Sequence, residues 1–209
     1  MPSFGMLSPF RWHFDAVSAP RAERIAAEVV ELLPPTNALL DVGCGDGTLV
    51  KLVAARAGVK RFSGVDVKLQ PGLDFDARAY DGHRLPFDDA SFDAVTISDV
   101  LHHADSPLDV LGEALRVTRR GGAVIVKDHF RFGAWSNGVL LAMDLVGNYA
   151  QGILVTGNYL SPPEWIELVR KAGGSVDKLT WPFRVHSLPF RLITRSEYQF
   201  VARVVHAGG

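Results

Sequence analysis

The first chemical signal in this chain is the stretch "LLDVGCGDGTLVKLV", Leu39 to Val53, where an apolar run meets a helical one across Asp41, Gly43, Gly45 and Gly47. A strand that enters a glycine-rich turn and then a helix N-terminus brings backbone N–H groups close to a ligand. Glycine permits this because it has no side chain and tolerates positive φ. Such a turn invites a nucleotide-like ligand. It is not the dinucleotide fingerprint, because Thr48 stands where the third glycine belongs, and no Gly-Lys-Ser/Thr follows to make a phosphate loop. A second group of residues suits proton transfer: Asp99, His102 and His103 in "SDVLHH", and Asp128 and His129 in "KDHF". Histidine exchanges protons near neutral pH.

Stepping outward, the elements that must hold these residues alternate. "RAERIAAEVVELLPP" sets Ile25, Val29, Leu32 and Leu33 on one helical stripe, closed by Pro34 and Pro35. "ALLDV" is a short buried strand and "DGTLVKLVAARAG" a helix stopped by Gly58; "RFSGVDV", "DARAYD" and "SFDAVTISDV" follow as strands. "SPLDVLGEALRVT" is a helix capped by Ser106, with Pro107 and Asp109 in its first turn and Leu108, Leu111 and Leu115 as its apolar stripe. "GGAVIVKDHF" is the next strand. Strand–helix alternation of this kind predicts a parallel sheet covered on both faces. Beyond Phe130, "AWSNGVLLAMDLVGN" is expected as a helix over the sheet edge. "SPPEWIELVRKAGG" is expected as a helix with a Ser161–Glu164 capping box and an apolar face of Trp165, Leu168, Val169 and Ala172. "SVDKLTW" and "SEYQFVARVVH" read as closing strands.

The totals fit one domain. The chain has 209 residues and a net charge of −1, from 22 Lys plus Arg against 23 Asp plus Glu. That balance lacks the basic footprint a phosphate backbone requires, so no nucleic-acid partner is expected. Cys44 is the only cysteine, which excludes an internal disulfide and suits a reducing compartment. The N-terminus lacks the layout of a secretion signal. The uncharged stretch Leu145–Pro163 is interrupted by Asn148, Gln151, Asn158, glycines and prolines, so no membrane span is expected. The expected location is cytoplasmic, and the expected state a monomer or homodimer. The single domain divides into a cap and helix (1–35), a core (36–130) and a substrate-side cover with the closing strands (131–209).

"DVGCGDG" resembles the first motif of the class I S-adenosylmethionine-dependent methyltransferases, and further matching segments follow in order. "GVDV" ends in Asp66, where such folds place an acid for the ribose hydroxyls. "YDGHRLPFDDASFDAV" resembles the third and fourth strand region, with Asp81 where the adenine amino group is met. "LHHADSPLDVLGEALRVTRRGGAVIV" resembles the helix and fifth strand that come next, with Arg119-Arg120-Gly121-Gly122 where Lys-Pro-Gly-Gly is common. The resemblance spans roughly Leu39 to Phe130, and its nearest flavour is that of small-molecule and quinone-type enzymes. It implies a Rossmann-like α/β fold with a mostly parallel seven-stranded sheet, helices on both faces and an antiparallel last strand. It also implies S-adenosylmethionine as cofactor, with S-adenosylhomocysteine as product.

The expected cofactor contacts are physical as well as familial. Asp41 offers negative potential to the ammonium, and Gly43, Gly45 and Gly47 let the amino acid end lie against backbone. Asp66, with Val67 beside it, is a bidentate acceptor for two ribose hydroxyls. Asp81 accepts from the adenine amino group, the Gly82 N–H donates to a ring nitrogen, and Ser98 lines the methionine part.

Methyl transfer is an in-line displacement that asks the protein to align the acceptor and exclude water, with a base only where the acceptor must lose a proton. His129, His102 and His103 are the expected catalytic candidates. A metal site built from these histidines and Asp128 has no established ligand spacing, so no metal is expected. "SPPEW" differs from the Pro-Pro-aromatic motif of DNA amino-methyltransferases and lies far downstream of strand four. That leaves a small-molecule acceptor, apolar or aromatic, covered by "FGMLSPFRWHF" and "WSNGVLLAMDLVGNYAQGILVTGNYL". The competing expectations are a catalytically silent cofactor-binding interaction module and a dinucleotide-dependent oxidoreductase.

Overall fold

A computed structural model describes residues 18–133, 138, 140–141, 157–186 and 196–208. Seven strands form one sheet: β1 (Ala38–Val42), β2 (Arg61–Asp66), β3 (Asp76–Ala79), β4 (Phe92–Ser98), β5 (Thr118–His129), β6 (Gly174–Thr180) and β7 (Gln199–His206). Their order is β3-β2-β1-β4-β5-β7-β6. β7 runs antiparallel to both β5 and β6, while β1 to β5 pair in parallel. This is the expected sheet with its antiparallel last strand. Because the order reverses between β1 and β4, a crevice opens beyond their carboxyl ends, where ligands bind in open α/β sheets.

Helices cover both faces. α1 (Ala19–Leu32) and α2 (Thr48–Ala57) pack on one side: Ile25, Ala26, Val29 and Leu32 meet Val50, Val53, Ala54 and inward residues such as Leu39 and Ile125. α3 (Pro107–Val117) and α4 (Pro162–Lys171) pack on the other, where Leu111, Leu115, Trp165 and Val169 meet Leu40, Val95, Val124 and Phe200. β1 is buried along its whole length, as a strand covered on both faces must be. α2 ends at Gly58, in the left-handed region at φ +69°. α3 starts at Ser106, whose side chain accepts from the Asp109 N–H. α4 starts where the Ser161 N–H donates to Glu164 Oε2 at 2.7 Å, so "SPPEW" is a helix start.

Four local expectations shift. Leu108 is exposed, and the buried stripe of α3 is Val110, Leu111, Ala114, Leu115 and Val117, because Leu108 sits in the first turn before the helix reaches the sheet. Leu33 is only partly buried, since α1 has already ended. β5 begins at Thr118, three residues before the expected start at Gly121. Ser196–Tyr198 form a 3-10 turn before β7 instead of extending it. The N-terminal cover lies outside the described residues, as does most of the 135–156 stretch expected as a helix and second cover.

Candidate active site

Register brings the sequence candidates to one edge of the sheet. Asp41 lies opposite Gly64 and Thr96, Asp66 opposite Ala79, and Ser98 opposite Lys127. The chain then leaves β1 through Gly43, Gly45 and Gly47, at φ +73°, +52° and +78°. All three conformations are in the left-handed region, where a Cβ is costly. Two of these glycines are also needed for space. A Cβ at Gly43 would come within 2.2 Å of Val100 Cγ2, and one at Gly47 within 2.4 Å of the Phe75 ring. Nothing lies within 4 Å of the corresponding position at Gly45, so that glycine faces open space.

The turn is held by its neighbours. The Gly43 and Cys44 N–H groups donate to Val65 O at 2.8 and 3.0 Å, and Gly47 N–H donates to Cys44 O at 2.8 Å. Gly45 N–H donates to Asp66 Oδ2 at 3.0 Å, while Lys68 N–H donates to Oδ1 at 3.0 Å. Asp66 therefore joins the glycine turn to the end of β2, and each carboxylate oxygen retains accepting capacity. Cys44 is buried, and burial chiefly pushes its thiol up to about 12, which suits a space filler and excludes a reactive thiolate.

Asp41 is 2% exposed and accepts from Thr96 Oγ1 at 2.6 Å. Burial pushes its carboxyl up to about 7; Thr96 opposes the rise and the charge of Asp66 adds to it. The expected negative potential beneath the turn is thus conditional on pH. At the far end, the Asp81 Oδ1 accepts from the His83 and Arg84 N–H groups, each at 2.8 Å, and these bonds hold the exposed carboxylate below its usual range. Gly82, at φ +85°, stands against Val67: a Cβ there would meet Val67 Cγ1 at 3.6 Å. Val67 is 64% exposed, so an apolar surface suited to a purine face adjoins Asp81. Ser98 Oγ points to Asp99 Oδ2 at 3.4 Å.

The histidine group is differently built. His102 is 2% exposed, and its Nδ1 lies 2.5 Å from Asp128 Oδ1. The same oxygen accepts the His129 N–H at 2.8 Å. Burial alone would raise Asp128, but its attraction to His102 and bonds to both histidines hold it well below the usual carboxylate range. His129 is also buried, and its imidazole is pushed down by burial and by Lys127. His103 is partly exposed, with its ring 3.9 Å from that of His102. The end of the cover reaches this group, for Tyr159 stacks on His102 at 5.3 Å and Asn158 N–H donates to His102 O at 2.9 Å. Two of the three histidines thus sit behind the site surface. Donor atoms of His102, Asp128 and His129 lie within 4.8 Å of one another, the one such ion-sized group among the described residues.

Three residues of this edge escaped sequence reasoning. Thr96 and Lys127 are polar residues inside otherwise apolar strands, and that interruption was the available signal. Lys127, 1% exposed, binds Asp99 Oδ1, while Arg21 from α1 binds Asp99 Oδ2. Arg21 gave no signal, because an arginine on a helix reads as a solvated face.

Comparisons agree with this geometry. Residues 40–126 match the family model described as a methyltransferase domain. The demethylmenaquinone methyltransferase of Renibacterium salmoninarum is 36% identical over 123 residues, covering 54% of this chain and 50% of that protein. The chain thus spans about half the length of the curated relatives it matches. Among solved structures, the S-adenosylmethionine-dependent methyltransferase of Mesorhizobium loti superposes with a TM-score of 0.63 at 14% identity, covering 88% of this chain and 97% of that one. The mitomycin 7-O-methyltransferase superposes at 0.64 and 19% identity, covering 91% and 54%. Residues 40–126 are thus similar to a methyltransferase domain, and the fold is that of the S-adenosylmethionine-dependent methyltransferases of known structure. No helix among the described residues is long and apolar enough to cross a membrane.

Proposed function

We propose that the chain transfers a methyl group from S-adenosylmethionine to a small-molecule acceptor, apolar or aromatic. The observation that carries this reading is the convergence of the glycine turn and Asp66, joined by the Gly45 N–H···Asp66 bond. The side-chain position at Gly45 is open, with nothing within 4 Å, which leaves room for a close-lying ligand. When bound, the cofactor supplies an electrophilic methyl on a sulfonium. Asp66 takes the ribose hydroxyls with the accepting capacity left after Gly45 and Lys68. Asp81 and Gly82 take the adenine edge, with Val67 against its face. Asp41, ionised above about pH 7, supports the ammonium from beneath the turn.

His102, His103 and His129 remain the proposed groups on the acceptor side. Burial and the Asp128 bonds give His102 and His129 a positioning part, holding the ends of β4 and β5 together. His103 is the one with surface access. The proteins this chain resembles carry the names demethylmenaquinone methyltransferase and mitomycin 7-O-methyltransferase and so differ in acceptor. The acceptor is therefore argued from chemistry, a water-poor pocket that aligns a nucleophile with the methyl. We further propose action as a monomer or homodimer in the cytoplasm without nucleic acid. Calorimetry with S-adenosylmethionine and with NAD tests the cofactor, with binding expected only for the first. Release of S-adenosylhomocysteine over a panel of phenols, quinols and small amines tests transfer. Cofactor binding with no release over such a panel would favour a silent binding module.

A further inference from the structure

A carboxylate lying at this turn finds most of the N–H groups from Gly43 to Thr48 already taken. The N–H groups of Gly43, Cys44, Gly45 and Gly47 are all consumed inside the protein, and Thr48 N–H donates to Asp46 Oδ1 at 2.9 Å. Cations gather one residue away. Val100, whose methyl presses on Gly43, follows Asp99, a non-glycine residue at φ +56°. Such a conformation persists only where surroundings enforce it, and here they are visible. The Asp99 N–H donates to Lys127 O at 2.9 Å, Lys127 Nζ and Arg21 Nη2 each hold one carboxylate oxygen, and His129 Nδ1 lies 3.6 Å from Oδ1. Two cations thus share the Asp99 carboxylate. Arg24 adds another nearby, its Nη1 3.4 Å from Val185 O. Arg21 is 34% exposed, and among the described residues its Nε and Nη1 have no protein partner.

We propose that Arg21 offers this unused N–H edge as a seat for a carboxylate at the border of the cofactor and acceptor sites. A planar guanidinium edge matches a carboxylate in two parallel bonds, which a lysine cannot do. The inference rests on the methyl-transfer reading, and the carboxylate has two sources: the amino acid end of the cofactor, or an acidic acceptor. His186 agrees with a positive local field. Burial first, then Arg21, Lys127 and Arg24, against Asp99, pushes its imidazole down to about 4, so it is neutral at physiological pH and adds no further cation.

The test is calorimetry on the full chain and on Arg21→Gln and Arg21→Lys. One arm compares S-adenosylmethionine with its decarboxylated form. The other loads the protein with S-adenosylhomocysteine and compares 1-naphthoate with 1-naphthamide. A preference of about tenfold or more for the acid, in either arm, that both variants abolish supports the seat, and the arm that responds names its source. Arg21→Lys keeps the ion pair with Asp99 while losing the second N–H edge, so a folding defect in Arg21→Gln does not decide the matter. Equal affinities for acid and neutral partner in both arms, or preferences that survive both variants, overturn the inference while methyl transfer stands. Failure of the unaltered protein to bind S-adenosylmethionine removes the methyl-transfer reading itself, and the seat with it.

Discussion

The two halves of the crevice hold their charges in opposite ways. On the β1–β3 side, the half-buried Asp66 and the exposed Asp81 spend their oxygens on backbone N–H groups of the adjoining turns. On the β4–β5 side, Asp99, Lys127, Asp128, His102 and His129 are drawn inward and spend their charge on one another. The first arrangement shapes a backbone and leaves acceptors for a ligand. The second fixes side chains rigidly and leaves little for a ligand except Arg21. On the proposed methyl-transfer reading, the half built from backbone turns would meet the constant cofactor, and the half built from packed side chains the acceptor.

The same difference decides what the sequence disclosed. Gly43, Gly45, Gly47 and Gly82 encode their own conformations, and Asp66 and Asp81 act on residues a few positions away or on the neighbouring strand end. Local rules therefore reached them. The strands and most helix limits were legible for the same reason, through caps such as Ser106 and stops such as Gly58. Arg21 meets Asp99 across 78 positions and His102 meets Asp128 across 26, so neither partner is written in its own neighbourhood. Burial of His102 and His129 followed from tertiary packing under Tyr159 and α4, which alternation of apolar residues does not reveal.

The contrast is broken most severely at Asp128. Replacing it with alanine removes the buried carboxylate bonded to His102 Nδ1 and the His129 N–H, and breaking such a buried pair costs about 3–5 kcal/mol. Chemical denaturation should show that loss. A destabilisation under 1 kcal/mol would mean that the β4–β5 side is no more interlocked than the glycine side.

On the other half, Asp66→Ala should leave the fold nearly as stable and weaken S-adenosylmethionine by about 1.5–3 kcal/mol, the worth of a charge-assisted contact. Calorimetry gives the number directly. Unchanged affinity would remove Asp66 from the ribose and leave it only as the brace of the Gly45 turn.

Asp41 sharpens the comparison, since it is the buried acid of the exposed half. Its carboxyl stands at about 7 against an ordinary 3.8, so its preference for the neutral form favours the folded state fully below pH 3.8 and fades as pH rises towards 7. Cofactor binding runs the other way. A cationic ammonium above the turn favours the charged form, so affinity should fall as pH drops through 7, by about tenfold between pH 8 and 6. Asp41→Asn should flatten that profile. A wild-type profile already flat over this range would remove Asp41 from the ammonium.

The smallest effect separates two glycines of one turn. Gly45→Ala meets no atom within 4 Å and bears only its left-handed conformation at φ +52°, a cost of about 1 kcal/mol. Gly47→Ala bears the same kind of strain and must also displace the Phe75 ring from 2.4 Å, so its loss of stability should be the greater. Gly45 alone faces the open crevice, however, so its new methyl group should act on the ligand more than on the fold. Comparing thermal midpoints with cofactor affinities for the two variants tests this. If Gly45→Ala binds the cofactor as the unaltered chain does, the ligand does not lie against the middle of the turn.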